Sequence, residues 1–198
     1  MNSKKNKPSN TFTFFPLTAK RWKDFELLFG ERGACGGCWC MSWRLKKSEF
    51  DKQKGMGNKK AMKKIVAAGK EPGIIAYYKG APVGWCAVAP RNEFVRLEGS
   101  RVLAPLDDQP VWSITCFFIT KEFRRQGLST ELLRAVITFC RKKKVKILEA
   151  YPAEPYTENM PAAFAWTGIP SAFLKAGFIE AARRSKPRPI MRYDLQRN

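Results

Sequence analysis

The sequence has no histidine among its 198 residues. Without imidazole there can be no Ser/His/Asp triad, no His-ligated zinc and no haem held through His. Any proton donor or acceptor must come from another residue type. Acidic residues are also scarce, 17 Asp and Glu against 37 Lys and Arg, for a net charge of +20. That excess favours a polyanionic partner: nucleic acid, a phosphorylated ligand or an acidic membrane surface. No window approaches the ~20 apolar residues that cross a bilayer, and the richest stretch, Val111 to Ile119, has about the length of one buried strand. The opening MNSKKNKPSN is basic at Lys4, Lys5 and Lys7 and leads into no apolar segment. Residues 1–10 therefore read as a disordered basic tail rather than a secretory signal, and residues 11–198 as one domain of a cytoplasmic protein. Six cysteines are too few for a disulfide scaffold of this size, so reduced thiols are expected.

What is present has a readable order. Thr11 to Thr18 suggests a short strand stopped by Pro16, and Trp22, Phe25, Leu28 and Phe29 recur at helical spacing over Lys20 to Phe29. Met62, Ile65, Val66 and Ala67 suggest a further helix. Ile74 to Tyr78 and Val83 to Ala89 flank the turn signal Lys79-Gly80 and predict an antiparallel hairpin. Arg91 to Gln109 is irregular, with room for a short helix. Val111 to Ile119 is apolar on both alternating faces, as a strand covered on both sides must be. Gly127 to Lys143 carries a stripe of Leu128, Leu132, Leu133, Val136, Ile137 and Cys140 opposite Glu131, Arg134, Thr138 and Arg141. A strand at Val145 to Tyr151 follows, then the loop Pro152 to Pro161. Ala162 to Ala176 predicts a helix broken near Gly168 and Pro170, and Gly177 to Ala182 and Pro189 to Leu195 predict two last strands. The pattern is α/β, with helices on both faces of a mixed sheet.

The stretch ITKEFRRQGLST, Ile119 to Thr130, carries the most chemical information. A buried strand runs through a basic turn into a strongly amphipathic helix opened by Gly127. Free backbone N–H groups and the positive end of that helix converge beside Arg124 and Arg125, which suits a pyrophosphate. Gly127 lacks a side chain that would block close approach, and Ser129 is small and adds a hydroxyl. A plain helix-capping turn is the structural alternative.

Arg124, Arg125, Gln126, Gly127, Leu128 and Ser129 resemble the Q/R-x-x-G-x-G/A acyl-CoA motif of the GNAT family of N-acetyltransferases, with Ser129 departing at the last position. The late segment FLKAGF, Phe173 to Phe178, is similar to the family's YxKxGF. The resemblance spans about Ile74 to Leu195, whereas the first 70 residues agree only in element order. It implies a single-domain, mostly antiparallel mixed sheet that splays between two central strands. Pantetheine of acetyl-CoA would lie in the splay against the backbone of Phe117, Phe118 and Ile119, and the pyrophosphate on Arg124 to Thr130, with Thr130 closing the motif. An amine would attack the thioester directly, and an N–H near Phe118 would polarise its carbonyl.

Phe173 stands where the family's proton-donating tyrosine is expected, so the usual acid is missing from its place. Tyr151, Glu154 and Tyr156 follow the splayed strand and are the candidates to face the acetyl group, with Glu98 as a water-mediated base. Cys35, Cys38 and Cys40 have a spacing seen in zinc or redox sites, but a four-donor zinc set is incomplete, and packing is the competing reading. Trp39, Trp43 and Arg44 are candidates for an acceptor pocket, the tryptophans as walls and the arginine as a carboxylate partner. Trp112 points either into that pocket or into the core. The basic runs Lys59 to Lys64 and Arg141 to Lys144 keep a second reading open, a non-catalytic module binding acyl-CoA or nucleic acid.

Overall fold

The computed structural model describes residues 12–156 and 165–196. The expected tail and part of the proline-rich loop lie outside the described residues. Strand β1 (Phe12–Pro16) ends at the proline, and helix α1 (Trp22–Phe29) buries the four residues whose spacing marked it. A tight turn, Gly33–Gly37, follows, with Ala34 at φ 62° and Gly36 at φ 59°. The basic segment holds two helices rather than one, α2 (Lys47–Lys52) and α3 (Met56–Ala67). Only α3 has a buried stripe, Asn58, Met62 and Val66, and α2 buries nothing, which is why periodicity does not reveal it.

Strands β2 (Gly73–Tyr78) and β3 (Ala81–Pro90) form the expected hairpin. Lys79 and Gly80 both take positive φ, 48° and 81°, which matches the right-handed twist of the flanking strands. Short helix α4 (Val95–Glu98) precedes β4 (Val111–Ile119), which leads into α5 (Leu128–Lys142) and β5 (Ile147–Ala150). Helix α6 (Pro170–Lys175) starts with proline at its first turn, where no N–H is needed. Strands β6 (Ile179–Ser185) and β7 (Arg188–Asp194) close the chain.

The seven strands form one sheet in the order β1-β2-β3-β4-β5-β7-β6, antiparallel everywhere except between β4 and β5. Leu128, Leu132, Leu133 and Val136 of α5 pack on one face against Ile74, Cys86, Ile114 and Leu148. On the other face Trp22, Phe25 and Phe29 of α1 meet Ile75, Trp85, Ala87 and Cys116. Burying each large apolar side chain contributes roughly 1.5–3 kcal/mol, so the two apolar layers fix the sheet between its helices. Among the described residues no helix is long and apolar enough to cross a membrane.

One feature of the sheet positions everything else. Strands β4 and β5 pair only from Val111/Ile147 to Ile114/Ala150, while β4 continues to Ile119. On its other side β4 pairs Cys116 with Ala87 and Ile114 with Val88, which leaves Thr115 as a bulge. The bulge increases local twist where the parallel partner ends, and the two central strands part.

Candidate active site

Beyond Ile114 the parted strands open into a cavity of about 1050 Å³. Phe117, Phe118 and Ile119 of β4 line it, as do Trp166, Gly168 and Ile169 from the loop before α6. Phe29, Phe50, Cys38, Cys40, Ser42 and Trp43 come from the first third of the chain. Lys121, Arg124, Arg125 and Ser129 line the cavity where β4 runs out.

The backbone of β4 has a definite polarity here. Phe117 N–H donates to Trp166 O at 2.6 Å and Thr120 N–H to Val83 O of β3 at 3.0 Å. Alternation along the strand turns the Ile119 N–H to the same side as that of Phe117, and the Phe118 N–H toward β3. The N–H groups that face the splay next to Phe118 are therefore those of Phe117 and Ile119, not its own. Arg124 Nε donates to Ile119 O at 2.9 Å and Gln126 Nε2 to Glu122 O at 2.6 Å, which ties the basic turn to the end of the strand.

Gly127 caps α5 with φ 83°, and a Cβ placed there would meet nothing within 4 Å. The left-handed backbone suits glycine, and the space above it is open. The first bonds of the helix run from Thr130 and Glu131 N–H to Gly127 O, so the N–H groups of Leu128 and Ser129 lie ahead of the ladder. The side chains of Leu128 and Thr130 are buried, so those two residues offer the site their backbone.

Several expected residues are elsewhere. Tyr151 is 1% exposed and exchanges hydrogen bonds with Glu149, Ser113 and Arg91 at 2.7, 3.0 and 2.5 Å. Burial first, and the Glu149 charge second, push its hydroxyl well above the usual tyrosine value. Glu154 pairs with Arg183 at 2.9 Å, Tyr156 is 67% exposed, and neither side chain lines the cavity. Glu98 lies beside Arg91 at 3.3 Å and lines a smaller cavity of about 400 Å³. Trp112 lines that smaller cavity too and packs edge-on against Phe139 of α5, 6.4 Å between centroids. Hydrogen bonds and ion pairs hold Tyr151, Glu154 and Glu98 elsewhere. The Tyr156 side chain does not line the cavity, although its neighbour Pro155 does. Of the two readings of Trp112, the alternation of β4 selects the one that points it at α5.

Trp39 is likewise a core residue, stacked on Phe29 at 5.7 Å and 20°, and it leaves no wall to the acceptor. Arg44 is 5% exposed, donates Nη1 to Glu93 at 2.7 Å and sits over the Phe94 ring, so it cannot meet a carboxylate in the cavity as placed. Trp43 does line the cavity, 5.8 Å from Trp166. Sequence reasoning missed Trp166 and Phe50, which carry no motif and enter only through the fold, and Lys121, which lies in the basic turn ahead of the motif residues.

The thiols divide. Cys86 and Cys140 are core, and burial pushes Cys140 up to about 12. Cys35, Cys38, Cys40 and Cys116 line the cavity. Cys38 donates to Gly33 O at 3.6 Å, and Cys40 Sγ accepts the Trp85 indole N–H at 3.2 Å. Among the described residues no three or more His, Cys, Asp or Glu side chains are arranged to hold a metal ion.

A sheet parted beside a bulge, with a glycine-capped helix at the end of the open strand, defines an acyl-CoA transferase scaffold. The sequence profile of the acetyltransferase (GNAT) family matches residues 39–166, and the chain belongs to that family. Solved structures agree on the fold. A GNAT-family acetyltransferase from Listeria monocytogenes is 9% identical, with a TM-score of 0.56 over 92% of this chain and 94% of that one. The PaiA N-acetyltransferase of Thermoplasma acidophilum, solved with coenzyme A, is 10% identical with a TM-score of 0.53 over 93% and 99%. The aminoglycoside acetyltransferase AAC(6')-Ib, also with coenzyme A, is 18% identical with a TM-score of 0.52 over 94% and 96%. Comparison with curated protein sequences finds no significant match.

Proposed function

We propose that the chain is an acetyl-CoA-dependent N-acetyltransferase that moves acetyl to a primary amine by direct attack in a ternary complex. A small-molecule amine is the preferred acceptor, with a protein amine as the variant. The observation that carries this reading is the open edge of β4, which ends on Gly127 and the N-terminus of α5 with Lys121, Arg124 and Arg125 beside it. Those residues suit acetyl-CoA. The two N–H groups of Phe117 and Ile119 fit an extended amide chain, and the cations with the free N–H groups of Leu128 and Ser129 fit a diphosphate. Coenzyme A in two structural neighbours supports the same cosubstrate.

In this reading the thioester lies at the end of the open strand away from Lys121, Arg124 and Arg125, where a backbone N–H facing the splay stabilises developing negative charge. The aromatic walls Trp43, Phe50 and Trp166 hold the acceptor and exclude water. Phe173 is fully buried, edge-on to Phe117 and Phe178, and has no hydroxyl to give. Coenzyme A therefore departs as the thiolate and takes the proton that the new amide nitrogen sheds. That same missing hydroxyl favours the second reading, a binder without turnover.

The test is calorimetric titration with acetyl-CoA and with CoA, followed by CoA release against a panel of amines. Saturable binding and amine-dependent release are expected. Binding with no release from any amine supports the non-catalytic reading, and no binding removes both.

A further inference from the structure

The cysteine cluster is a sequence feature to which acetyl transfer gives no task. Cys35, Cys38, Cys40 and Cys116 all line the large cavity, and they form two unlike pairs. Cys40 and Cys116 are buried and engaged. Cys40 Sγ accepts the Trp85 indole N–H at 3.2 Å, and the Cys116 thiol is turned to Phe117 O at 3.9 Å. Cys35 is exposed and Cys38 half-buried, and both are free thiols. An exposed thiol adds nothing to packing, and Cys38 Sγ makes a long hydrogen bond, 3.6 Å to Gly33 O.

The backbone brings Cys35 and Cys38 together. Cys38 N–H donates to Cys35 O at 3.2 Å and closes a four-residue turn. Such a turn keeps its end Cα atoms within about 7 Å, and a disulfide needs roughly 4.4–6.8 Å. Gly36 and Gly37 between them take φ 59° and 73°, a left-handed pair that glycine adopts freely. The rest of the fold fixes this turn from behind. Gly37 N–H donates to Arg32 O at 2.8 Å, and Gly37 O accepts from Gly55 N–H at 3.0 Å. The fully buried Asn58 side chain donates to the same oxygen at 3.0 Å. A Cβ on Gly37 would stand 2.5 Å from the Gly55 nitrogen, so a larger residue does not fit there. A buried amide and a close glycine contact thus hold a dithiol turn at the cavity wall, with an exposed cysteine first and a half-buried one behind it.

We propose that Cys35 and Cys38 are a dithiol site that takes the disulfide of a small thiol and closes as one intramolecular disulfide. The site goes beyond acetyl transfer and does not require it. Exposed Cys35 is the attacking residue and Cys38 the resolving one. Cys35 gives up its proton, and its sulfur attacks one sulfur of the small disulfide. That S–S bond breaks, and the electron pair leaves on the outer sulfur, which takes up the proton as the first free thiol. Cys38 then loses its proton and attacks the Cys35 sulfur. The mixed disulfide breaks, and the second small thiol leaves with that proton. Two cysteine thiols are oxidised, and one external disulfide is reduced to two thiols. The turn makes the second step intramolecular, so Cys38 outcompetes a thiol in solution. Two sources share this chemistry, the disulfide of glutathione and the disulfide of coenzyme A, whose phosphates suit Lys121, Arg124 and Arg125 of the same cavity.

The test treats the reduced full chain with coenzyme A disulfide in one arm and oxidised glutathione in the other, and maps the cysteines by mass spectrometry. Loss of two of the six free thiols is expected, with a crosslink between Cys35 and Cys38 that dithiothreitol reverses. Cys38→Ser should stop at the mixed disulfide, so that Cys35 carries the mass of the small thiol. Cys35→Ser should react about 10-fold more slowly or less, because the remaining thiol of the pair is half-buried. Neither side chain belongs to an apolar core, and circular dichroism checks that both variants fold. Oxidation about 10-fold faster by coenzyme A disulfide assigns the source to the coenzyme, and equal or slower oxidation assigns it to glutathione. A stable adduct on wild-type Cys35, a crosslink through Cys40 or Cys116 instead, or six free thiols after treatment overturns the site. Calorimetry with acetyl-CoA on the reduced protein reads the transfer reading separately. Binding there without the crosslink overturns the dithiol site alone, and the crosslink without binding overturns the transferase alone.

Discussion

The Phe117 N–H donates to the Trp166 carbonyl across 2.6 Å, so the loop before α6 holds the strand edge that an extended ligand chain needs. The loop is fastened at two more points, Ala153 N–H to Gly168 O at 3.0 Å and Arg188 Nη1 to Thr167 Oγ1 at 3.0 Å. An amide carbonyl of pantetheine and the carbonyl of Trp166 would compete for one donor.

Saturating acetyl-CoA should therefore loosen the segment around Trp166 while keeping the Phe117 amide protected. Hydrogen exchange read by mass spectrometry should show faster exchange over Ala165 to Ile169 and unchanged or slower exchange over Phe117 to Ile119. Trp166 fluorescence should change in the same titration, because its neighbour Trp43 stands 5.8 Å away. Identical exchange in both segments with and without ligand would mean that the ligand does not use this edge.

Gly127→Glu should weaken acetyl-CoA binding by about 10- to 100-fold. Two effects act together. The φ of 83° costs a non-glycine residue roughly 1–2 kcal/mol, and a carboxylate in the open space over the helix N-terminus repels a diphosphate. Calorimetry measures the affinity, and circular dichroism checks that the fold persists. Gly127→Ala, which keeps the strain but adds no charge, should lose clearly less. Equal losses in the two variants would remove the electrostatic part of the argument.

The sequence is informative where a local rule and the tertiary outcome coincide. The stripe of α5, the Lys79-Gly80 turn and the apolar run of β4 each satisfy one period or one backbone demand, and all three stand in the fold as read. The glycine-opened basic turn is legible because helix N-terminal chemistry is local. Residues brought together across the sheet are not. Nothing in the neighbourhood of Trp39 distinguishes it from Trp43, yet the first stacks on Phe29 in the core and the second faces the cavity. Tyr151 follows the splayed strand as expected, but Arg91 and Glu149, distant from each other in sequence, claim its hydroxyl. Arg44 has the chemistry of a carboxylate partner, and the carboxylate it meets is Glu93 of the chain itself.

Arg44→Ala should destabilise the protein by about 2–4 kcal/mol, because breaking a buried pair strands the partner charge. Glu93 keeps Lys70, which places the loss toward the lower part of that range. Although burial raises it, the hydrogen bonds from Lys70 and Arg44 hold the Glu93 carboxyl below its ordinary value. Its contribution is therefore present above the unfolded carboxyl value and fades as pH falls through the folded one. Urea unfolding of wild type and variant at neutral pH and near pH 4 measures both statements. Equal stability of the two proteins at neutral pH would show that the ion pair contributes nothing.

Tyr151→Phe should make the protein less sensitive to alkali while weakening it at neutral pH. The hydroxyl bridges Glu149, Ser113 and Arg91, and removing it from a buried network costs about 1–3 kcal/mol. Burial first, then the charge of Glu149, keep the phenol protonated in the folded protein far above the unfolded value of about 10. Below that unfolded value both states hold the proton and stability is flat. Above it the unfolded chain releases the proton and the folded one does not, so stability falls with rising pH at about 1.4 kcal/mol per unit for this group. Tyr77, pushed up by burial and by its hydrogen bond to Asp24, adds a similar slope that the substitution leaves in place. Urea titrations from pH 8 to about pH 11 should give a shallower alkaline decline for Tyr151→Phe than for wild type. A decline of equal slope in both would mean that the folded protein lets Tyr151 ionise, and that the buried network with Glu149 and Arg91 opens before the rest of the fold.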